Sequence, residues 1–158
     1  MERETTGLRL VDGTPFTFAP PGPARHNSLL VDTIELFGPR YARHACILYL
    51  HDPANNVAIF EQDYMQRLGV PIQTGADLPD IVLYQEWSRL LFLIDMLPSH
   101  EGVSQAHRDE LVRRFAGRRT IYTAALSSYD DYERCALTIP WGTLVWIAQI
   151  PDHTIYYR

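Results

Sequence analysis

Two short apolar runs, Ile81-Val82-Leu83-Tyr84 and Leu90-Leu91-Phe92-Leu93-Ile94, stand on either side of the polar stretch Gln85-Glu86-Trp87-Ser88-Arg89. Strand-forming residues in runs of this length, joined by so short a polar link, read as a buried β-hairpin. With Trp87 and Ser88 at its tip, the pairing brings Ile81 opposite Ile94 and Asp80 opposite Asp95. Carboxylates on facing positions stand roughly 5 Å apart and repel one another. A shared divalent cation would remove that repulsion. The other reading is that both acids cap strand ends and face water.

The rest of the chain is arranged around this hairpin. Leu8–Val11 and Phe16–Phe18 flank Asp12-Gly13 as a small hairpin or meander, and the proline-rich stretch from Ala19 to Pro23 ends it. Asn27 or Ser28 can cap a helix that carries Leu29, Leu30, Thr33, Ile34 and Phe37 on one stripe, with Glu35 beside it. Gly38-Pro39 then stops that helix. Strands are predicted at Ala45–Leu50 and Val57–Phe60, and a helix over 61–68 that Gly69 closes. Beyond Asp95, Ser104 caps a helix to about Phe115. A strand at Thr120–Ala124, a helix over Tyr129–Leu137 and closing strands at Leu144–Ala148 and Thr154–Tyr157 follow. Strands alternating with helices after an early hairpin imply one α/β domain over residues 1–158, a mixed sheet flanked by helices.

Composition narrows the chemistry. No apolar run reaches the ~18 residues of a membrane helix, and Met1–Leu10 lacks a signal peptide's apolar core. Cys46 and Cys135 have no metal-ligand spacing and read as buried free thiols, as expected in a cytoplasmic protein. All 14 basic residues are arginine, and the net charge is −5. That balance argues against a general polyanion binder but allows a local basic patch. Arg108, Arg113, Arg114, Arg118 and Arg119 fall within twelve residues, where they read either as phosphate contacts or as a solvated helix face. Trp141 and Trp146 read as core or strand packing. Hydrolase elbows, phosphate-binding glycine loops and zinc clusters are missing from the sequence.

An ordered series of short segments runs through nearly the whole chain. It comprises Asp12-Gly13, Thr17-Phe18, His26-Asn27, Glu35-Leu-Phe-Gly-Pro-Arg-Tyr41, Leu48-Tyr-Leu50, Leu68-Gly-Val-Pro-Ile72 and Leu78-Pro-Asp-Ile-Val-Leu-Tyr84. Leu91-Phe-Leu-Ile-Asp95, Ser99-His100, Trp141-x-Thr-x-Val-Trp-Ile-Ala148 and Pro151-Asp-His153 complete it. In this series the chain resembles the nuclease domain of BsuBI/PstI-type restriction endonucleases, of the PD-(D/E)XK fold. The resemblance implies a restriction-endonuclease-like fold and Mg²⁺-dependent hydrolysis of phosphodiester bonds in double-stranded DNA. It also implies a homodimer suited to palindromic sites. By position it makes Asp80, Asp95 and Glu35 the metal ligands, and it leaves His100 within reach of the site as a proton-transfer group. The chain departs from the family in several places, the wording of the loop from Met96 to Gly102 among them. Leu97 stands where the fold usually has lysine, the second acid is aspartate rather than glutamate, and the loop at His51–Asn56 carries no lysine. These departures support an alternative, a relative that binds DNA or a partner protein without cutting.

Overall fold

The computed structural model describes residues 7–18, 26, 28–70, 78–97, 104–115 and 117–158. The central hairpin forms as its pattern requires. Strands β3 (Ile81–Gln85) and β4 (Leu90–Met96) pair antiparallel, with Ile81 opposite Ile94 and Gln85 opposite Leu90. Glu86–Arg89 make the turn, and Arg89 closes it at a left-handed φ of 56°. All of β3 and most of β4 are buried, which is why both strands read as continuous apolar runs rather than alternating ones.

The other strands add outward from this pair. β1 (Cys46–Asp52) lies antiparallel to β3, and β2 (Val57–Phe60) antiparallel to β1. On the other side β5 (Arg119–Leu126) and β6 (Thr143–Ile147) run parallel, and β7 (Thr154–Tyr156) closes antiparallel. The result is a seven-stranded mixed sheet, ordered β2-β1-β3-β4-β5-β6-β7. Helices flank it on both sides. α3 (Gln62–Arg67), α4 (Gln105–Arg114) and α5 (Tyr129–Cys135) cover one face through Met65, Leu111, Phe115 and Cys135. The opposite face holds Leu83, Phe92 and Ile94 against Val31, Ile34 and Phe37.

Those last three residues belong to a helical run that differs from expectation. Ser28 caps it by accepting the Val31 N–H, and α1 (Leu29–Asp32) begins it. It does not stop at Gly38-Pro39; a π-helical turn over Thr33–Phe37 leads into α2 (Gly38–Tyr41). Pro39 has no N–H to give the Glu35 carbonyl and would crowd it in an unbroken α-helix. Widening the turn, so that the Gly38 N–H reaches Thr33 O, lets the run absorb the proline instead of ending there. Phe37 is thereby held edge-on to Phe92 and Trp146, at ring separations of 6.0 and 5.7 Å.

Trp146 is fully buried, as expected, and its indole donates to Pro151 O. Trp141 is not a core residue: it is 67% exposed, because the turn through Gly142 carries it past the end of β6. The expected hairpin at Asp12-Gly13 shortens to a single antiparallel bridge, Arg9 to Pro15. Both cysteines are free, and among the described residues no helix is long and apolar enough to cross a membrane. Burial pushes the Cys46 thiol up to about 11. A raised thiol pKa keeps the neutral, unreactive form at pH 8. Iodoacetamide is therefore expected to label Cys46 roughly 100-fold more slowly than an ordinary thiol at that pH, and faster as the pH climbs toward 11. Labelling at the free-thiol rate would show that the start of β1 opens readily.

Candidate active site

Asp80 and Asp95 meet at the end of the hairpin remote from its turn. Pro79 is buried, so the chain enters β3 through a packed residue and Asp80 stands at the rim. Each acid is tied to the other's strand. Asp80 Oδ2 accepts the Met96 N–H at 2.8 Å, and Asp95 Oδ1 accepts the Asp80 N–H at 3.2 Å. Asp95 is 7% exposed, whereas Asp80 keeps an exposed edge. Partial desolvation raises the Asp80 pKa above the ordinary carboxylate value, opposed by the Met96 N–H; the Asp95 charge raises it further and His107 lowers it.

Two residues that the sequence reading passed over complete the arrangement. Tyr122 donates its hydroxyl to Asp95 Oδ2 at 2.7 Å, and His107 Nε2 lies 3.1 Å from the same oxygen. Topology explains both. Tyr122 pairs with Leu93 in the parallel register of β5 on β4, so it shares a face with Asp95 two residues on. His107 sits in the first turn of α4, where Ser104 accepts its N–H and sets the helix start above the strand ends. Burial and then the Asp95 charge hold the Tyr122 phenol well above its ordinary pKa, so at neutral pH it is a fixed hydrogen-bond donor. The signal in the sequence was Tyr122 itself, a polar-tipped aromatic in a central strand facing the strand with the buried acid.

The charge of Arg108 reaches the neighbourhood of the acid pair through Tyr122, whose pKa it lowers. Arg108 Nη1 meets Asp109 at 3.1 Å, its Nη2 donates to Gly142 O at 3.3 Å, and its buried Nε has no partner among the described residues. The other four arginines of the cluster do not converge there. α4 is roughly 15 Å long at ten residues, and it runs away from the acids. Arg113 and Arg114 pair with Glu110, while Arg118 and Arg119 are exposed near the start of β5. Arg119 is in register with Leu90, at the turn end of the hairpin.

Glu35 lies on the π-helical turn, which packs on the sheet face opposite to that of Tyr122, His107 and the Asp95 carboxylate. Among the described residues no three His, Cys, Asp or Glu side chains gather into a set able to hold a metal. The structure thus brings Asp80 and Asp95 together, and it carries Glu35 on the helical run that packs on the other sheet face. His100 lies outside the described residues.

Leu97 follows Asp95 by two residues but packs with Ala124, Leu126 and Cys135 and is 5% exposed. A lysine there would have to bury its ammonium or pry that cluster apart. Leu97→Lys is expected to lower unfolding stability by about 2 kcal/mol or more in urea denaturation. An unchanged midpoint would mean that position 97 opens on the cleft.

Comparison with known proteins agrees with this architecture. The family model described as the BsuBI/PstI restriction endonuclease domain matches residues 8–158. The type II restriction enzyme BsuBI of Bacillus subtilis is 31% identical over 138 residues, which is 86% of this chain and 44% of that enzyme. Among solved structures, the SdaI restriction endonuclease superposes with a TM-score of 0.78 at 27% identity, over 96% of this chain and 47% of that one. The chain therefore spans about half the length of the relatives it matches.

Proposed function

The chain belongs to the BsuBI/PstI restriction endonuclease family, and from that premise we propose that it hydrolyses phosphodiester bonds in double-stranded DNA with Mg²⁺ at Asp80 and Asp95. The observation that carries this reading is the pairing of the two carboxylates at one end of the hairpin, each accepting a backbone N–H from the other's strand. The donor set fits a hard cation. Asp80 Oδ1 takes no hydrogen bond among the described residues, and Asp95 Oδ1 accepts only one. Mg²⁺ is commonly held by one or two carboxylates, the remaining positions going to waters and substrate phosphate. Bound there, it would lower the pKa of a water and offset charge building on the phosphate.

The surrounding residues have separable tasks. Tyr122 and His107 fix Asp95 through Oδ2, leaving Oδ1 toward Asp80. Arg108, always charged, grips a phosphate oxygen in place of the absent lysine. His100 is retained as the proton-transfer group. Arg113, Arg114 and Arg118 would touch the backbone of that DNA at a distance from the scissile bond. Dimerisation on a two-fold symmetric site completes the reading.

Digestion of methylated and unmethylated plasmids with and without Mg²⁺ tests it. Discrete fragments that appear only with the metal are expected. Leu97, buried where the fold usually has lysine, favours a second reading in which the chain binds DNA without cutting. Retained DNA binding with no cleavage of any substrate would establish that reading instead.

A further inference from the structure

The turn end of the sheet carries a charged surface that the acid pair does not use. Gln85 Nε2 and Trp87 Nε1 both donate to Arg43 O, at 3.0 and 3.3 Å, and Arg119 Nη1 donates to Ser88 O at 3.3 Å. These bonds join the segment before β1, the hairpin turn and the start of β5 into one surface. Arg43, His44, Arg89 and Arg119 are exposed on it, and the Trp87 indole is 72% exposed beside them. Among the described residues none of these three arginines has a carboxylate partner. Glu86 is the acidic residue of the turn. Next to this surface opens a cleft of about 600 Å³ lined by Arg40, Tyr41, Arg43, His44 and Asp152. Arg40 Nε meets Asp152 there at 2.8 Å, across 112 residues of chain.

The backbone adds an independent observation. His44 and Arg89 hold left-handed φ values of 60° and 56°, two of the three such non-glycine residues among those described. Glycine or asparagine fills such turn positions at less cost, by about 1 kcal/mol. The chain instead keeps the exposed side chains of His44 and Arg89 at these two positions.

We propose that this surface binds the phosphate backbone of a DNA segment other than the one presented to Asp80 and Asp95. Arginine forks match phosphate oxygens, and an exposed indole offers a flat face to a base or sugar. The two ends are distinct sites: Leu90 to Asp95 spans five residues of strand, roughly 16 Å. In a chain of net charge −5, the acid end repels DNA unless a cation intervenes, so binding without metal goes to the turn end. The choice of DNA as the polyanion rests on the nuclease reading.

Anisotropy of a labelled DNA duplex, titrated with the full chain in chelator over a salt series, tests the proposal. The triple variant Arg43→Ala/Arg89→Ala/Arg119→Ala is expected to bind at least ~10-fold more weakly at low salt. Its log–log salt slope should be flatter by roughly 0.9 per lost contact. Arg134→Ala, on the exposed side of α5, should change neither. If the triple variant does not fold, Arg89→Glu alone should move both quantities the same way. Parent affinity and slope in the folded variants would overturn the proposal, as would no DNA binding by the parent in chelator. Competition by polyglutamate as strong as by DNA would also overturn it. Cleavage with Mg²⁺ in the same preparations separates the two readings. Arginine-independent binding with normal cleavage sinks this proposal alone, and arginine-dependent binding without any cleavage sinks the nuclease reading alone.

Discussion

Asp95→Ala is expected to lower Mg²⁺-dependent DNA cleavage by at least ~10³-fold, because several kcal/mol of charge stabilisation leave with the metal and each 1.4 kcal/mol is tenfold. Asp80→Ala should do the same. The two variants differ in their effect on folding. Removing the Asp95 carboxylate strands the buried Tyr122 hydroxyl and the Asp80 N–H, at about 1–3 kcal/mol. Removing Asp80 frees only the Met96 N–H at an exposed edge. Asp95→Asn keeps an acceptor for Tyr122 but turns an amide nitrogen toward the Asp80 N–H, so it should destabilise less than Asp95→Ala and still fail to cut. Cleavage by Asp80→Ala, or by the parent in excess chelator, would remove the metal from the mechanism.

The second large effect is expected at Arg108. Arg108→Ala should slow cleavage by roughly 10²- to 10³-fold, as loss of a positioned charge donor does elsewhere. Arg108→Lys should recover part of this, since lysine keeps the charge but not the fork. A variant that leaves Arg108 in place gives a stricter test. A Cβ on Gly142 would come 2.4 Å from Arg108 Nη2, the movable end of a long side chain. Gly142→Ala should therefore displace the guanidinium and slow the reaction in the same direction, with some backbone strain because Gly142 sits at φ +83°. Unchanged rates in Arg108→Ala and Gly142→Ala would assign this arginine to packing. By contrast, Arg113→Ala with Arg114→Ala should weaken binding alike for all sequences, with little change in the chemical step.

The hairpin and its acid pair were legible in the sequence because burial on both faces leaves a pattern that local residues carry by themselves. Apolar runs of matched length around a polar link set the register that β3 and β4 adopt. What surrounds the acids was less legible, since it depends on which elements the crossovers bring overhead. His107 and Tyr122 reach Asp95 from 12 and 27 residues away, through a helix start and a parallel register that no local pattern encodes. The continuation through Gly38-Pro39 was missed because the stop signal is a rule about α-helices, and the chain changes helix type there. The arginine cluster looked single because spacing along the chain hides the length of α4.

The strand order has a consequence for how the chain folds. Every neighbouring pair in the sheet is consecutive in sequence except β1 with β3. The hairpin of β3 and β4 closes over a four-residue turn, an event that takes about 1–10 μs. The flanking strands can then be added outward, each against an edge already formed, so that little loop-closure entropy is lost at once. Asp80 and Asp95 are therefore aligned by local pairing alone, whereas His107 and Tyr122 reach them only through α4 and the parallel docking of β5. The hairpin by itself would hold two like charges at its open end, and the partners of Asp95 come from elements more distant in sequence.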